Sequence, residues 1–159
     1  MKHIYFILMF LFMSSLSAQE TTTIYLIRHA EKADASPDTD LSEAGKVRAK
    51  KWESYFSDKN ITAIYSTPYK RTNATAEPLA TANKLMINTY NPSEMDLMSV
   101  AGKNTSKSVL IVGHSNTIPK YINTLLRENK YADIDESEFS YLHIVTIKGS
   151  EITCKLEKL

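Results

Sequence analysis

Arg28 and His29 stand side by side at the end of an apolar run, Ile24-Tyr25-Leu26-Ile27, and Ala30-Glu31-Lys32 follows at once. Much further along, Ser108-Val109-Leu110-Ile111-Val112-Gly113-His114-Ser115-Asn116-Thr117 repeats the plan and delivers a second histidine. Contiguous apolar runs bounded by polar residues read as strands buried on both faces. In open α/β sheets, ligands sit just beyond the carboxyl ends of such strands. Histidines there, with an arginine alongside, suit phosphoryl transfer to imidazole. That chemistry needs a neutral ring with one free nitrogen. The other nitrogen should donate to a fixed acceptor, which sets the tautomer. Neighbouring cations lower the histidine pKa and help keep it neutral. Planar guanidinium groups suit the peripheral phosphoryl oxygens. Arg28 meets that need, as does Arg71 in Tyr65-Ser66-Thr67-Pro68-Tyr69-Lys70-Arg71-Thr72, and His114 can add a donor. By residue type alone, His29 and His114 are equal candidates for the nucleophile.

Four motifs occur in one order: Leu26-Ile27-Arg28-His29-Ala30-Glu31-Lys32, Leu41-Ser42-Glu43-Ala44-Gly45, Tyr65 to Thr72, and Val112-Gly113-His114-Ser115-Asn116-Thr117. Together they resemble the histidine phosphatase superfamily, whose members are similar to phosphoglycerate mutase in fold. The resemblance takes in nearly all of the chain after residue 18. It implies that His29 is the nucleophile and that Arg28, Arg71 and His114 hold the phosphoryl group. It also implies a carboxyl acid soon after the third strand, to protonate the leaving oxygen. Glu94 occupies a similar place and is preferred over Asp96, two residues on; Glu31 is a further possibility. Glu43 is expected to cap or orient the site. Ser115 and Asn116 are expected to line it, although helix capping would explain both nearly as well.

The expected activity is that of a metal-independent phosphoric monoester hydrolase without a cofactor, acting on a small phosphorylated substrate and releasing inorganic phosphate. A metal among these histidines would set a cation beside cations, and zinc more often gathers cysteine or carboxylate ligands. Three alternatives remain. One is phosphoglycerate mutase, whose larger members carry covering insertions that this chain lacks. Another is a phosphohistidine-protein phosphatase, since such members are also short. The third is a phosphate-binding module without turnover, against which the four intact motifs argue.

The chain has 159 residues, enough for one domain with a real core. Met1 to Ala18 reads as a signal peptide: Lys2 and His3, an apolar run from Ile4 to Phe12, then Ser14, Ser15, Ser17 and Ala18. The run is shorter than the roughly 20 residues a membrane-spanning helix needs; an uncleaved anchor is the alternative. A secreted or periplasmic location is therefore expected, with a single histidine phosphatase domain over residues 19–159. Setting Lys2 aside leaves eighteen basic residues against eighteen acidic ones. Nothing in that balance attracts nucleic acid or an anionic membrane. The single cysteine, Cys154, excludes an intramolecular disulfide and reads as a packing residue. His143 reads as a structural or surface residue. The sequence carries no signal for a particular oligomeric state.

Strands and helices alternate. After the first strand, a polar loop covers residues 31–39. A helix then opens at Leu41 to Gly45, capped by Asp40 or Ser42, with Ala44, Val47, Trp52, Tyr55 and Phe56 as its apolar stripe. Next come a strand over residues 61–65 and a helix started by Ser66-Thr67-Pro68, with Arg71 in its first turn and Pro78 inside it, where it is expected to kink or interrupt the helix. A strand over 85–90 precedes a short helix capped by Ser93, with Glu94, Leu97, Met98 and Ala101 along one side. After the strand ending at Val112, a helix runs from about Thr117 to Arg127 on Ile118, Tyr121, Ile122, Leu125 and Leu126. An acidic connection over 131–138 leads to strands over 141–147 and 151–156, joined at Gly149. The expected fold class is α/β: a three-layer α/β/α sandwich with a mixed, mostly parallel sheet, phosphoglycerate mutase-like.

Overall fold

Ile24, Tyr25, Leu26 and Ile27 are almost wholly buried, because the strand that carries them has a neighbour on each side and helices above and below. In a computed structural model that describes residues 20–159, this strand is β1 (Thr21–Arg28). The expected leader, residues 1–18, lies outside the described residues. The chain continues through α1 (Glu43–Phe56), β2 (Ile61–Ser66), α2 (Lys70–Asn83), β3 (Ile87–Thr89), α3 (Leu97–Lys103), β4 (Ser108–Gly113), α4 (Thr117–Leu126), β5 (Tyr141–Lys148) and β6 (Glu151–Lys158). The sheet order is β3-β2-β4-β1-β5-β6. β1 to β4 run parallel, while β5 is antiparallel to β1 and β6 to β5. The mixed, mostly parallel sheet of the sequence reading is therefore present.

Alternate residues of β1 face opposite layers, as the strand period requires. Ile24 and Leu26 pack with Leu97 of α3 and Ile118 and Ile122 of α4. Tyr25 and Ile27 pack with Trp52 and Phe56 of α1 and Leu79 of α2. These two cores make the three-layer α/β/α sandwich. The β1–β4 register sets Arg28 beside Gly113, and the His29 N–H donates to the Gly113 carbonyl at 3.0 Å. Both histidine-bearing strand ends thus finish at one level.

Several elements differ from the sequence reading. The buried side of α1 is Gly45, Ala49, Trp52 and Phe56, whereas Val47 is 60% exposed. Two small residues open that stripe because the first turn presses against backbone. A Cβ at Gly45 would lie 2.3 Å from the Glu31 carbonyl oxygen. The Ser42 N–H donates to the same oxygen at 2.9 Å, and the Ser42 hydroxyl, rather than Asp40, caps the helix by accepting from the Gly45 N–H. α2 runs through Pro78, with Thr75, Ala76, Leu79 and Ala80 buried around it, so tertiary packing overrides a local cost of about 3 kcal/mol. β3 keeps only three residues, because the Leu85 N–H closes the end of α2 by donating to the Ala80 carbonyl. Asp96, not Ser93, caps α3. Ser93 lies earlier, in a turn whose N–H and hydroxyl both donate to the Asn91 side chain. Gly149 takes a φ of 58° at the β5–β6 hairpin.

His143 is structural and not on the surface. It is 2% exposed, opposite Leu26 in the sheet, with the Tyr131 ring edge-on at 5.0 Å and no partner for Nδ1 among the described residues. Burial pushes its pKa from 6.5 down to about 4. The neutral ring is thus favoured by folding, and the unfolded chain takes up a proton first. Stability from this group is present above about pH 6.5 and is lost as pH falls toward 4. His143→Phe should shrink the drop in unfolding free energy between pH 7 and pH 5 by about 1–2 kcal/mol in urea titrations. An unchanged drop would show that this ring is not the desolvated group. Gly45→Ala tests the backbone contact: it should lower unfolding free energy by about 1–3 kcal/mol, since overpacking displaces whatever the methyl meets. A wild-type value would mean that α1 can back away from Glu31 freely.

Candidate active site

The β1 ladder ends at His29, and its first consequence is a fixed imidazole. His29 is 4% exposed and its Nδ1–H donates to the Ala30 carbonyl at 2.7 Å. In the neutral ring this leaves Nε2 as the free nitrogen. Burial, helped by Arg28, His114 and Arg71, takes the His29 pKa from 6.5 to about 4, against the opposing Ala30 bond. At neutral pH the ring is uncharged. The Ala30 N–H donates to the Thr75 hydroxyl at 2.9 Å, and that hydroxyl donates to the Arg71 carbonyl at 2.7 Å. α2 therefore holds both the residue after His29 and the first turn that carries Arg71.

His114, at the end of β4, faces His29 edge-on with ring centroids 5.4 Å apart. Its Nε2 lies 3.0 Å from the Thr67 hydroxyl, and the Tyr69 ring stands edge-on at 5.1 Å. Burial, then Arg71 and Arg28, lowers its pKa to about 4. Gly113 leaves room for this turn: a Cβ there would come within 3.1 Å of Ile118 and of the Tyr90 hydroxyl. Arg71 lies over the Tyr69 ring at 4.5 Å and donates from one terminal nitrogen to the Pro37 carbonyl at 2.8 Å. The polar loop after β1 thus braces Arg71.

Arg28 is 2% exposed. One terminal nitrogen donates to the carbonyls of Asp135, Glu136 and Glu138 at 2.9, 2.9 and 3.2 Å. The other donates to the Glu136 carboxylate at 2.6 Å, and the Phe139 ring lies 4.3 Å from the guanidinium carbon. The Nε atoms of Arg28 and Arg71 have no partner among the described residues. A buried cation is costly unless hydrogen-bonded, and three carbonyls plus a carboxylate offset that cost here.

These groups surround a cavity of about 640 Å³, lined by Arg28, His29, Arg71, His114, Ser115 and Asn116 and also by Lys32, Tyr69, Asp133 and Glu136. Six residues expected from the sequence are thereby gathered at one sheet end. Three expected carboxylates are not, nor is the alternative Asp96. Glu94 is exposed in the turn before α3, its carboxylate accepting from the Asn91 amide at 2.9 Å. Asp96 accepts from the Met98 N–H as the α3 cap. Glu31 is paired with Arg48, whose Nε donates to both its oxygens at 2.8 and 3.0 Å. Glu43 has a 90% exposed side chain paired with Lys46, and it is its neighbours Ser42 and Gly45 that meet the Glu31 backbone, two residues after His29. The turn at Asn91 aims Glu94 outward, and the cavity takes its carboxylates from Asp133 and Glu136 instead.

The sequence reading noted the acidic connection but did not place it at the site. Topology held the signal. α4 leads away from the carboxyl ends of the parallel strands, yet β5 begins beside Ile27, because it is antiparallel to β1. The connection must therefore climb back and cross the site.

Known proteins share the fold and, over part of the chain, the sequence pattern. Residues 24–96 match the family model described as histidine phosphatase superfamily (branch 1). The fold matches Bacillus stearothermophilus YhfR with a TM-score of 0.70 at 16% identity, over 86% of this chain and 96% of that one. It matches a phosphoserine phosphatase of Entamoeba histolytica, solved with 3-phosphoglyceric acid, with a TM-score of 0.70 at 16% identity, over 87% and 98%. It matches the putative phosphohistidine phosphatase SixA of Agrobacterium tumefaciens with a TM-score of 0.65 at 21% identity, over 86% and 98%. No curated protein matches the sequence. The family match begins in β1 and carries the Arg28-His29 motif, and the fold around it is that of phosphoglycerate mutase-like phosphatases: over residues 24–96 the chain is similar in sequence to the histidine phosphatase superfamily, and as a whole it shares their fold.

Proposed function

We propose that this protein is an exported phosphomonoesterase that hydrolyses phosphate esters through a phosphohistidine on His29. The observation that carries the reading is the His29 ring itself. It is uncharged through burial, and its Nδ1–H is tied to Ala30 so that Nε2 is free, in a cavity that also holds Arg28, Arg71 and His114. Nε2 attacks phosphorus, the bond to the leaving oxygen breaks, and that oxygen takes a proton. Arg28, Arg71 and His114 stabilise the charge on the peripheral oxygens. Water then attacks the phosphoryl group, the P–N bond breaks, and its electron pair returns to Nε2. Ser115 and Asn116 contribute to binding at the start of α4.

A small phosphorylated substrate is supported by the Entamoeba phosphatase, captured with 3-phosphoglyceric acid and, as a mutant, with phosphoserine. Export is supported by the pattern of residues 1–18 in the sequence. A phosphohistidine-protein phosphatase is the second reading. It is favoured by the exposed position of Glu94, because imidazole leaves a phosphoramidate more readily than an alkoxide leaves an ester.

His29→Ala should lower kcat on p-nitrophenyl phosphate by about 10³-fold or more, with the thermal unfolding midpoint retained. Rapid alkaline quench of the wild type should trap an acid-labile phosphoprotein that the variant lacks. Near-wild-type turnover by the variant would end the phosphohistidine reading. Activity should also survive prolonged incubation with a strong chelator, because the positive charge comes from Arg28, Arg71 and Lys32. Loss on chelation with recovery on added metal would show that a metal shares the site.

A further inference from the structure

We propose that Glu136 is the proton-transfer group of this site, and that binding of the phosphate ester is what frees it for that task. The proposal rests on the phosphohistidine reading of His29. Glu136 lies in the cavity with its two carboxylate oxygens held by different groups. One accepts from Arg28 at 2.6 Å and the other from the Ser115 hydroxyl at 2.6 Å. Its backbone is anchored, since its own carbonyl and those of Asp135 and Glu138 accept from Arg28. Its side chain is not anchored in the same way, being 73% exposed beside an arginine that is 2% exposed. When a new anion arrives, the carboxylate can move and the guanidinium cannot.

A phosphoryl group bonded to His29 Nε2 needs the donors of Arg28. It carries more charge than a carboxylate and offers three oxygens, so it displaces Glu136 from the terminal nitrogen of Arg28. The Ser115 hydroxyl keeps the freed carboxylate at the cavity wall. Ser115 and Arg28, with Lys32 nearby, hold the Glu136 carboxyl below its usual range, and it is ionised. The other charged groups at the cavity are Arg71 from α2 and Asp133 from its own loop, while His114, also at the cavity, is neutral through burial. Once the phosphoryl group takes Arg28, Glu136 has lost a cation and gained an anionic neighbour. Both changes raise its affinity for a proton, which it takes from solvent.

The step then balances. As the P–O bond breaks, the proton of Glu136 goes to the leaving oxygen. Ionised again, Glu136 accepts a proton from the water that attacks the phosphoryl group, while the P–Nε2 electron pair returns to His29. Asp133 is the other carboxylate lining the cavity, but it has no bond to Arg28 and so is not coupled to phosphoryl binding in this way.

Glu136→Gln keeps the size and the Ser115 contact but cannot carry the proton. On the full chain, its kcat for an alkyl phosphate should fall about 10²-fold, the lower end for general acid catalysis. On p-nitrophenyl phosphate, whose leaving group needs little help, kcat should fall only a few-fold. KM should stay level or drop on both substrates, because Arg28 no longer has a competing anion. Glu136→Asp should recover part of the alkyl phosphate activity, and Glu94→Gln should match the wild type on both. Loss of the counter-charge to Arg28 should lower the thermal midpoint by a few degrees, while the three carbonyls still hold the guanidinium and keep the variant folded at the assay temperature. Equal losses on both substrates, no loss on either, or a wild type that cleaves aryl but not alkyl esters would each overturn the role of Glu136. Acid-labile phosphoenzyme should form from p-nitrophenyl phosphate in wild type and Glu136→Gln alike. Its absence from both would remove the underlying reading of His29; its presence without a leaving-group differential would remove only that of Glu136.

Discussion

Parallel pairing of β1 with β4, in one register, is the constraint on which the site depends. Arg28 sits beside Gly113, so His29 and His114 emerge together with their rings in edge contact. Side chains alternate along a strand, and a slip of one residue would turn His29 and Arg28 to the opposite faces. The slip is resisted by both layers at once. Ile24 and Leu26 belong to one core and Tyr25 and Ile27 to the other, so no residue of the run can change sides without stranding an apolar group or burying a polar one. The two packed cores therefore act as the gauge that sets the distance between the histidines.

A second condition is electrostatic. The same burial acts oppositely on the two kinds of base present. It keeps imidazoles neutral, because neutrality is cheap for them, while Arg28 remains a cation and must be solvated by protein. The carbonyls of Asp135, Glu136 and Glu138 provide that solvation. They can do so because the α4–β5 connection, returning to the strand ends, presents successive carbonyl groups to the guanidinium. The acidic character of this connection in the sequence is thus partly the counter-charge of a buried arginine 107 to 110 residues earlier in the chain.

That separation explains what could and could not be read from the sequence. Strand ends were legible: β1 and β4 are continuous apolar runs, and the residues just past them are local in the chain. Arg71 was legible because a helix start places it. The motif at Leu41 to Gly45 was visible, but its use was not, since the reason for Gly45 is a carbonyl on another segment. Val47 misled the reading of α1 because hydrophobicity outranks the smallness that close backbone approach requires. A single turn sets Glu94 outside the cavity lining: Asn91 captures Ser93 and Glu94 locally, and α3 starts only at Leu97. The leader expected at residues 1–18 lies outside the described residues, so that expectation rests on the sequence.

The strand order has a consequence for the way the chain reaches this state. β1 is the first described element, yet both of its neighbours, β4 and β5, come late. During synthesis, Ile24 to Ile27 must wait for residues 108–147 before it has a hydrogen-bonding partner on either edge. α1, β2, α2 and β3 can associate earlier, but without the central strand they lack the surface on which to close. Closure of such a long loop must come before the contacts that reward it, and sheets built this way fold slowly. The apolar segment that ends in Arg28 and His29 is then also the one left longest without shelter, where self-association of partly made chains would begin.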